Sequence, residues 1–321
     1  MRTWTRRTVA GLAMAVLVPT VGQADTWPTK PVTFIVCFPA GGPTDLLARK
    51  LASVISEQSG QPVVVENISG AYGAIGLQRL ARSQPDGYTI GLGMIGTQTI
   101  APHVGSVPYD PIKDFTPITM VAKHANAVVV RADSPIRSIA DLIAEAKRKP
   151  EAVSYGDSGA ASTTTLSSRM LEVMAGAQML GVGYRGAAPA LNDLMGGQIT
   201  FFVDVVGGSI GPLVGSGRLR MIATTGAERN KAFPQVPTVA ETLPGFEMTG
   251  WFAVFGPAGI PKAMVAAMHA AIAGAAASPK MVEYLDQLGF DPVTSTPDEL
   301  GRTVARDLER WGPILKAKGL N

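Results

Sequence analysis

The residues best suited to chemistry stand in two short segments rich in glycine and hydroxyl groups. The first, Phe38-Pro39-Ala40-Gly41-Gly42-Pro43-Thr44-Asp45, follows an apolar run over 32–37. Its glycines permit a tight turn, and proline is favoured at the first position of a helix. The amides of Gly41, Gly42 and Thr44 can then face an anion, aided by the positive end of the helix dipole. Asp45, in the first turn, can accept one of those donors and steady the loop. The segment holds no lysine or arginine. A neutral cradle suits a carboxylate that must be released better than a phosphate held by charge. Taken alone, the same residues also suit an ordinary glycine-rich turn from strand to helix.

The second segment, Gly156-Asp157-Ser158-Gly159-Ala160-Ala161-Ser162-Thr163-Thr164-Thr165, has the same character. Hydroxyls and amides gather at the start of a helix, where the first donors lack internal partners. The plain alternative is an N-cap with additional hydroxyls beside it. Two such loops facing each other would grip the two ends of an anionic molecule, and the pairing says more than either loop.

Enzymatic chemistry finds less support. Gly156-Asp157-Ser158-Gly159 echoes a serine nucleophile segment, which makes a hydrolase using Ser158 the remote alternative. Ala160 breaks that pattern and the G-x-S-x-G elbow as well. A triad also needs a histidine base, and only His103, His124 and His269 exist, each outside a strong motif and read as surface or packing. Gly91-Leu92-Gly93-Met94-Ile95-Gly96 fits G-x-G-x-x-G, but Pro102 interrupts the helix such a fingerprint needs. The acid expected about 20 residues on falls at Asp114, within the proline-containing stretch 108–117. Cys37 is the single cysteine, so no internal disulfide forms, and no histidine–cysteine cluster has metal spacing. Neither a cofactor nor a metal is expected. Cys37 itself reads as a small core residue.

The elements that must position these loops alternate. Short apolar strands are predicted over 32–37, 63–66, 88–92 and 126–131, with helices over 44–59 and 74–83 between the first three. The pattern continues with strands at 152–155, 199–203, 219–223 and 249–255, and helices at 166–175, 186–195, 261–276 and 297–318. Such alternation implies an α/β protein whose parallel sheets are wrapped by helices. The proline-rich stretch 233–246 reads as an ordered connection. About 297 residues after the leader suit two lobes rather than one core. The expected division is 25–125 plus 250–321 as the first lobe and 126–249 as the second.

The leader sets the compartment. Arg2, Arg6 and Arg7 precede an apolar stretch to about Val21, and Gly22-Gln23-Ala24 offers small residues at cleavage spacing. This reads as a secretory signal cut after Ala24, with Arg6-Arg7 also permitting twin-arginine export. The exported chain is expected in the periplasm. The full sequence carries 28 basic against 25 acidic residues. Residues 1–24 hold three arginines and no acid, so the remainder balances at 25 against 25. No basic cluster suits a phosphate backbone, and nucleic acid is excluded as a partner.

Ordered motifs now accumulate along the whole mature chain. They include Trp27-Pro28 with Lys30-Pro31, Phe38-Pro39-Ala40-Gly41-Gly42 with Asp45 and Arg49, and Pro62-Val63-Val64-Val65-Glu66-Asn67. Gly70-Ala71 with Gly73, Pro85-Asp86-Gly87-Tyr88-Thr89, Tyr184-Arg185-Gly186, Gly196-Gly197-Gln198 and Val236-Pro237-Thr238-Val239-Ala240-Glu241 follow. In these the sequence resembles the periplasmic solute-binding receptors of tripartite tricarboxylate transporters, the Bug receptors. The resemblance implies a type II periplasmic binding-protein fold, a clamshell with ligand in the interlobe cleft. It implies a monomeric, non-enzymatic receptor that delivers a small carboxylate to the membrane subunits of a secondary transporter. Presentation of the ligand to a sensor protein is the alternative.

Carried over from similar proteins, the first loop supplies Phe38, Pro39, Ala40, Gly41 and Asp45. The second supplies Ser158, Gly159, Ser162, Thr163 and Thr164. Asp204 lies near the cleft, either touching ligand or orienting a loop, and Thr97 is a further candidate on the rim. The sequence departs from the family where Thr165 replaces a frequent histidine, Ala161 a glycine, and Arg169 a commonly acidic residue. Phe38, Phe202 and Trp251 could wall an aromatic ligand, but core packing explains them more simply. Di- and tricarboxylates, including a benzene dicarboxylate, are the expected ligand class.

Overall fold

The computed structural model describes residues 26–317 apart from 160, 161, 185, 208 and 209. The expected signal and its cleavage after Ala24, the departure at Ala161, the motif residue Arg185 and the helix end at Lys318 lie outside the described residues.

The first half of the chain alternates as its apolar periodicity dictates. Strand β1 (Val32–Val36) leads through the glycine loop into helix α1 (Pro43–Ser59), then β2 (Val63–Asn67), α2 (Ala74–Ala81) and β3 (Thr89–Met94). Side chains alternate across a strand. Phe34 and Val36 therefore pack with Leu47, Leu51 and Ile55 of α1, while Ile35 joins Leu77 and Leu80 of α2 on the opposite face. Each of these buried aliphatic or aromatic side chains contributes about 1.5–3 kcal/mol. A π-helical turn, Gly96–Ile100, and short helix α3 (Ala101–Val104) follow β3.

Strand β4 (Phe115–Arg131) is the axis of the molecule. Beyond it run α4 (Ile139–Arg148), β5 (Ser154–Asp157), α5 (Thr163–Ala175), β6 (Leu180–Gly183), α6 (Ala187–Met195), β7 (Phe201–Val205), α7 (Ile210–Gly215) and β8 (Leu219–Thr224). A capped turn centred on Val239–Glu241 interrupts the proline-rich connection. Then β9 (Thr249–Pro257), α8 (Lys262–Ala276), α9 (Pro279–Gln287), β10 (Asp291–Pro292) and α10 (Pro297–Ala317) complete the chain. Among the described residues no helix is long and apolar enough to cross a membrane.

The strands run in the order β2-β1-β3-β9-β4-β7-β5-β6, with β10 and β8 also on β4. Up to Ala125, β4 pairs with β9; from Asn126 onward it pairs with β7, and from Ala127 with β8. The expectation of parallel sheets holds only for β1 with β2 and β3, and for β5 with β6 and β7. The long strands β4 and β9 are antiparallel to their neighbours. They carry the chain between the two sets of parallel strands, and that passage reverses direction.

The first half of β4 escaped the sequence pattern because Pro117 lacks a ladder donor. Register shifts between Pro117 and Thr119, and again between Met120 and Ala122, accommodate it. Helix α4 was also unexpected, although Ser138 accepts the Asp141 amide as its N-cap.

Candidate functional site

A cavity of about 220 Å3 lies where the two sets of strands meet. Three helix N-termini reach its wall: Thr44 of α1, Thr163 and Thr164 of α5, and Gly186 and Ala187 at the start of α6. The first amides of a helix have no internal acceptor, and the helix dipole places partial positive charge there. Among the described residues no lysine or arginine lines the cavity. A larger open groove of about 1080 Å3, between α1 and α8, holds neither a charged side chain nor any residue singled out by its chemistry.

The glycine loop is built from beneath by Asp45, which is buried at 2% exposure. Its carboxylate accepts the Gly41 amide at 2.9 Å, Arg49 Nε at 2.9 Å and Asn67 Nδ2 at 2.9 Å. Asn67 Nδ2 also donates to the Phe38 carbonyl at 3.0 Å, and Arg49 Nη2 to Asn67 Oδ1 at 2.8 Å. Burial pushes the Asp45 carboxyl up, but the Arg49, Gly41 and Asn67 donors outweigh it and hold it below its ordinary value. Of the first-loop candidates, Phe38 lines the cavity. Pro39, Ala40 and Gly41 stand exposed outside its wall, and the Gly41 amide is already engaged by Asp45.

The second loop presents a triangle of hydroxyls. Ser158 Oγ lies 2.8 Å from Thr164 Oγ1 and 3.2 Å from Ser162 Oγ, and a short contact joins Ser162 to Thr164. Ser162 is the N-cap of α5, accepting the Thr164 amide at 3.2 Å. Ser158, Ser162, Thr163 and Thr164 all line the cavity, whereas Gly159 does not. Thr165 and Arg169 brace this loop from behind. Thr165 Oγ1 accepts the Ser158 amide at 2.9 Å and donates to Asp157 Oδ1 at 3.0 Å. Arg169 reaches Asp157 Oδ2 at 3.2 Å, and the Gly159 amide reaches Asp157 Oδ1 at 2.7 Å.

Asp204, at the end of β7, is the one carboxylate on the cavity wall among the described residues. It accepts the Val205 amide at 2.9 Å. Burial pushes its carboxyl up to about 6, against the opposing effect of that amide. Thr97 also lines the wall, with its hydroxyl donated to the Met94 carbonyl at 3.1 Å and its own carbonyl accepting from Tyr109 at 2.6 Å.

Seven further residues line the cavity that sequence reasoning did not place in the site: His124, read as surface or packing, Met94, Ile95 and Gly96, met only in the rejected fingerprint, Gly186, met only in a motif, and Tyr72 and Ala187. His124 is 3% exposed and packs beside Phe252 and Phe290, at centroid separations of 4.9 and 5.7 Å. Its Nδ1 has no partner among the described residues. Burial lowers its pKa to about 4, only partly offset by the Ala125 backbone, so the imidazole is neutral near pH 7. Of the proposed aromatic walls, Phe38 and Phe202 line the cavity. Trp251 does not: it is buried in the core, with its indole N–H donated to Asp307 at 3.0 Å.

The Ser158 hydroxyl is held by Ser162 and Thr164 rather than by a histidine, so no nucleophile–base pair is formed. Beside Asp204 and the neutral His124, the wall offers amides, hydroxyls and apolar rings, which is equipment for holding an anion with an apolar body.

Comparison with known proteins gives a consistent answer. The family model described as "Tripartite tricarboxylate transporter family receptor" matches residues 47–320. The protein BugT of Bordetella pertussis is 33% identical over 303 residues, covering 92% of each chain. The solved structure of Rpa4515 from R. palustris with adipate superposes with a TM-score of 0.85 at 35% identity, covering 91% of this chain and 98% of that one. MatC (Rpa3494) from Rhodopseudomonas palustris, with bound malate, gives a TM-score of 0.82 at 28% identity, covering 90% and 100%.

Proposed function

This chain belongs to the tripartite tricarboxylate transporter receptor family, whose members are periplasmic solute-binding receptors and not enzymes, and from that premise we propose that it captures a small di- or tricarboxylate for the membrane subunits of such a transporter. The observation that carries the reading is the convergence of three helix N-termini and a hydroxyl triangle on one cavity. Backbone amides and hydroxyls bind a carboxylate firmly when water is excluded, yet release it without breaking a buried ion pair.

In this reading Ser158, Ser162, Thr163 and Thr164 take one carboxylate, while Phe38, Thr97 and Asp204 face the remainder of the ligand. Gly41, Asp45 and Gly159 set the loop shapes, and Pro39 and Ala40 form the rim. Residues 25–125 plus 250–321 act as one lobe and 126–249 as the other. The change of partners along β4 at Ala125 and Asn126, and the start of β9 at Thr249, support that division. Ligand binding draws the lobes together because the closed form makes more contacts with it. The mature protein acts as a periplasmic monomer after cleavage near Ala24. Adipate and malate, bound by the two relatives above, mark the ligand class.

The test is a thermal-shift screen of the purified mature protein against aliphatic and aromatic carboxylates, with hits confirmed by calorimetry. A ligand at 100 times its Kd adds about 2.7 kcal/mol, enough for a shift of several degrees. Silence from folded, ligand-free protein across the whole panel would overturn the carboxylate reading. Equal affinity for benzoate and benzene dicarboxylates would overturn the two-ended grip.

A further inference from the structure

Tyr72 occupies the cavity wall on unusual backbone. It is left-handed at φ 53° and ψ 36°, and its neighbour Ala71 has φ 45°. Gly70 at 133° and Gly73 at 92° give the whole segment 70–73 positive φ. Glycine adopts such angles freely, whereas a bulky residue there is a genuine outlier. The two glycines that flank Ala71 and Tyr72 are closely packed. A β-carbon on Gly70 would lie 2.6 Å from Ile75 Cδ1, and one on Gly73 would lie 2.9 Å from Thr97 Cγ2. The Gly73 amide closes the turn onto the Gly70 carbonyl at 3.0 Å.

This strap throws the tyrosine outward. The side chain is 60% exposed and yet lines the cavity. Its ring sits directly on Gly159 of the second loop, where a β-carbon would lie 2.7 Å from Cδ1 and 3.0 Å from Cζ. Tyr72 thus spans from the first set of strands to the loop before α5, over the space a ligand would fill. Core packing does not explain strain held at an exposed side chain, and such strain concentrates at ligand clamps.

We propose that Tyr72 determines ligand specificity, its ring roofing the cavity so that carboxylates with a planar aromatic body are preferred over flexible aliphatic ones of equal charge. The inference deepens the carboxylate reading and rests on it. Phe38 and Phe202 line the same cavity, so aromatic surface faces it from three separate segments. Aromatic pairs interact beyond their simple area burial, and a rigid ring loses less rotational freedom than an alkyl chain.

The experiment is calorimetry with benzene-1,4-dicarboxylate and adipate on the wild type and on Tyr72→Phe, Tyr72→Leu and Tyr72→Gly. The wild type and Tyr72→Phe should prefer the aromatic acid. Tyr72→Leu should lose about five- to tenfold in affinity for it while adipate changes by less than about twofold. Tyr72→Gly should show the same loss, with the Tm of the ligand-free protein rising by about 2 °C as the left-handed strain is relieved. Purely structural packing would do the reverse, lowering the Tm of Tyr72→Gly and weakening both acids alike, and that result overturns the inference. Unchanged aromatic preference in Tyr72→Leu overturns it too. A folded wild type that binds an aliphatic carboxylate of the panel but not the aromatic acid overturns the inference alone, whereas silence across the whole panel overturns the carboxylate reading beneath it.

Discussion

The carboxylate of Asp45 accepts the amide of Gly41 at 2.9 Å, so the first turn of α1 and the glycine loop before it form one closed unit. Arg49 and Asn67 complete the shell of donors around that carboxylate. The loop is therefore pre-shaped rather than ordered by ligand.

Asp45→Ala leaves those three donors without their shared acceptor. Hydrogen bonds to a buried charge contribute about 1.5–3 kcal/mol, so a loss of roughly 2–3 kcal/mol is expected in urea unfolding. Carboxylate affinity should fall at least about tenfold because Phe38 loses its support. The folded-state pKa of Asp45 is depressed, so its contribution is present above the unfolded value near 4 and fades as pH falls through the folded one. The stability gap between wild type and Asp45→Ala should accordingly narrow in acid.

The hydroxyl triangle separates stability from binding. Ser162 caps α5, and its replacement by alanine should cost about 1 kcal/mol of stability. Ser158 bonds through its hydroxyl only to Ser162 and Thr164 among the described residues. Ser158→Ala should leave the urea midpoint nearly unchanged and weaken carboxylate binding about fivefold, as expected for one hydrogen bond. Equal effects of both variants on stability, with no change in affinity, would remove the triangle from the ligand site.

Both loops were legible because their chemistry is local. A buried strand, two glycines and Pro43 specify a strand-to-helix turn without help from distant residues, and Ser162-Thr163-Thr164 carries its own capping signal. The rest depended on contacts distant in sequence. His124 reads as an isolated histidine until β4 carries it to Phe252 of β9. Tyr72 drew no notice in the sequence because its positive φ leaves no trace in residue type. For Trp251 the simpler reading of core packing holds, and its indole N–H finds a buried partner in Asp307, on a helix 56 positions away. The first half of β4 was hidden by Pro117, which only a bulged antiparallel partner tolerates.

Gly207 tests how closely the end of β7 approaches the chain after α9. It has φ 90°, and a β-carbon there would meet the backbone of Leu288, 2.9 Å from its Cα. Gly217 has φ 70° with nothing within 4 Å of an added β-carbon. Gly217→Ala should therefore cost about 1 kcal/mol, the conformational penalty alone. Gly207→Ala should cost roughly 2 kcal/mol or more, because backbone must also move. Urea midpoints of the two variants provide the comparison, and equal values would mean that Leu288 yields easily.

Asp204 and His124 give the cavity opposite responses to acid. The raised folded pKa of Asp204, about 6, means that its stabilising protonation is complete below about 4 and is lost as pH rises through 6. The lowered folded pKa of His124, about 4, has the contrary sign: stability falls as pH drops from about 6.5 toward 4. The two trends oppose each other between about pH 4 and 6, so the wild-type Tm should vary little there. Asp204→Asn removes one of them and should expose a steeper acid loss. Binding reads the aspartate alone, because His124 stays neutral from pH 5.5 to 7.5. Ionised Asp204 repels a nearby ligand carboxylate, whereas its protonated form can donate to it. Affinity for benzene-1,4-dicarboxylate should therefore be higher at about pH 5.5 than at about pH 7.5, and Asp204→Asn should abolish the difference. A wild-type affinity that is flat over this range would place the bound carboxylates beyond the reach of Asp204, and the ligand's second end would then be held by amides alone.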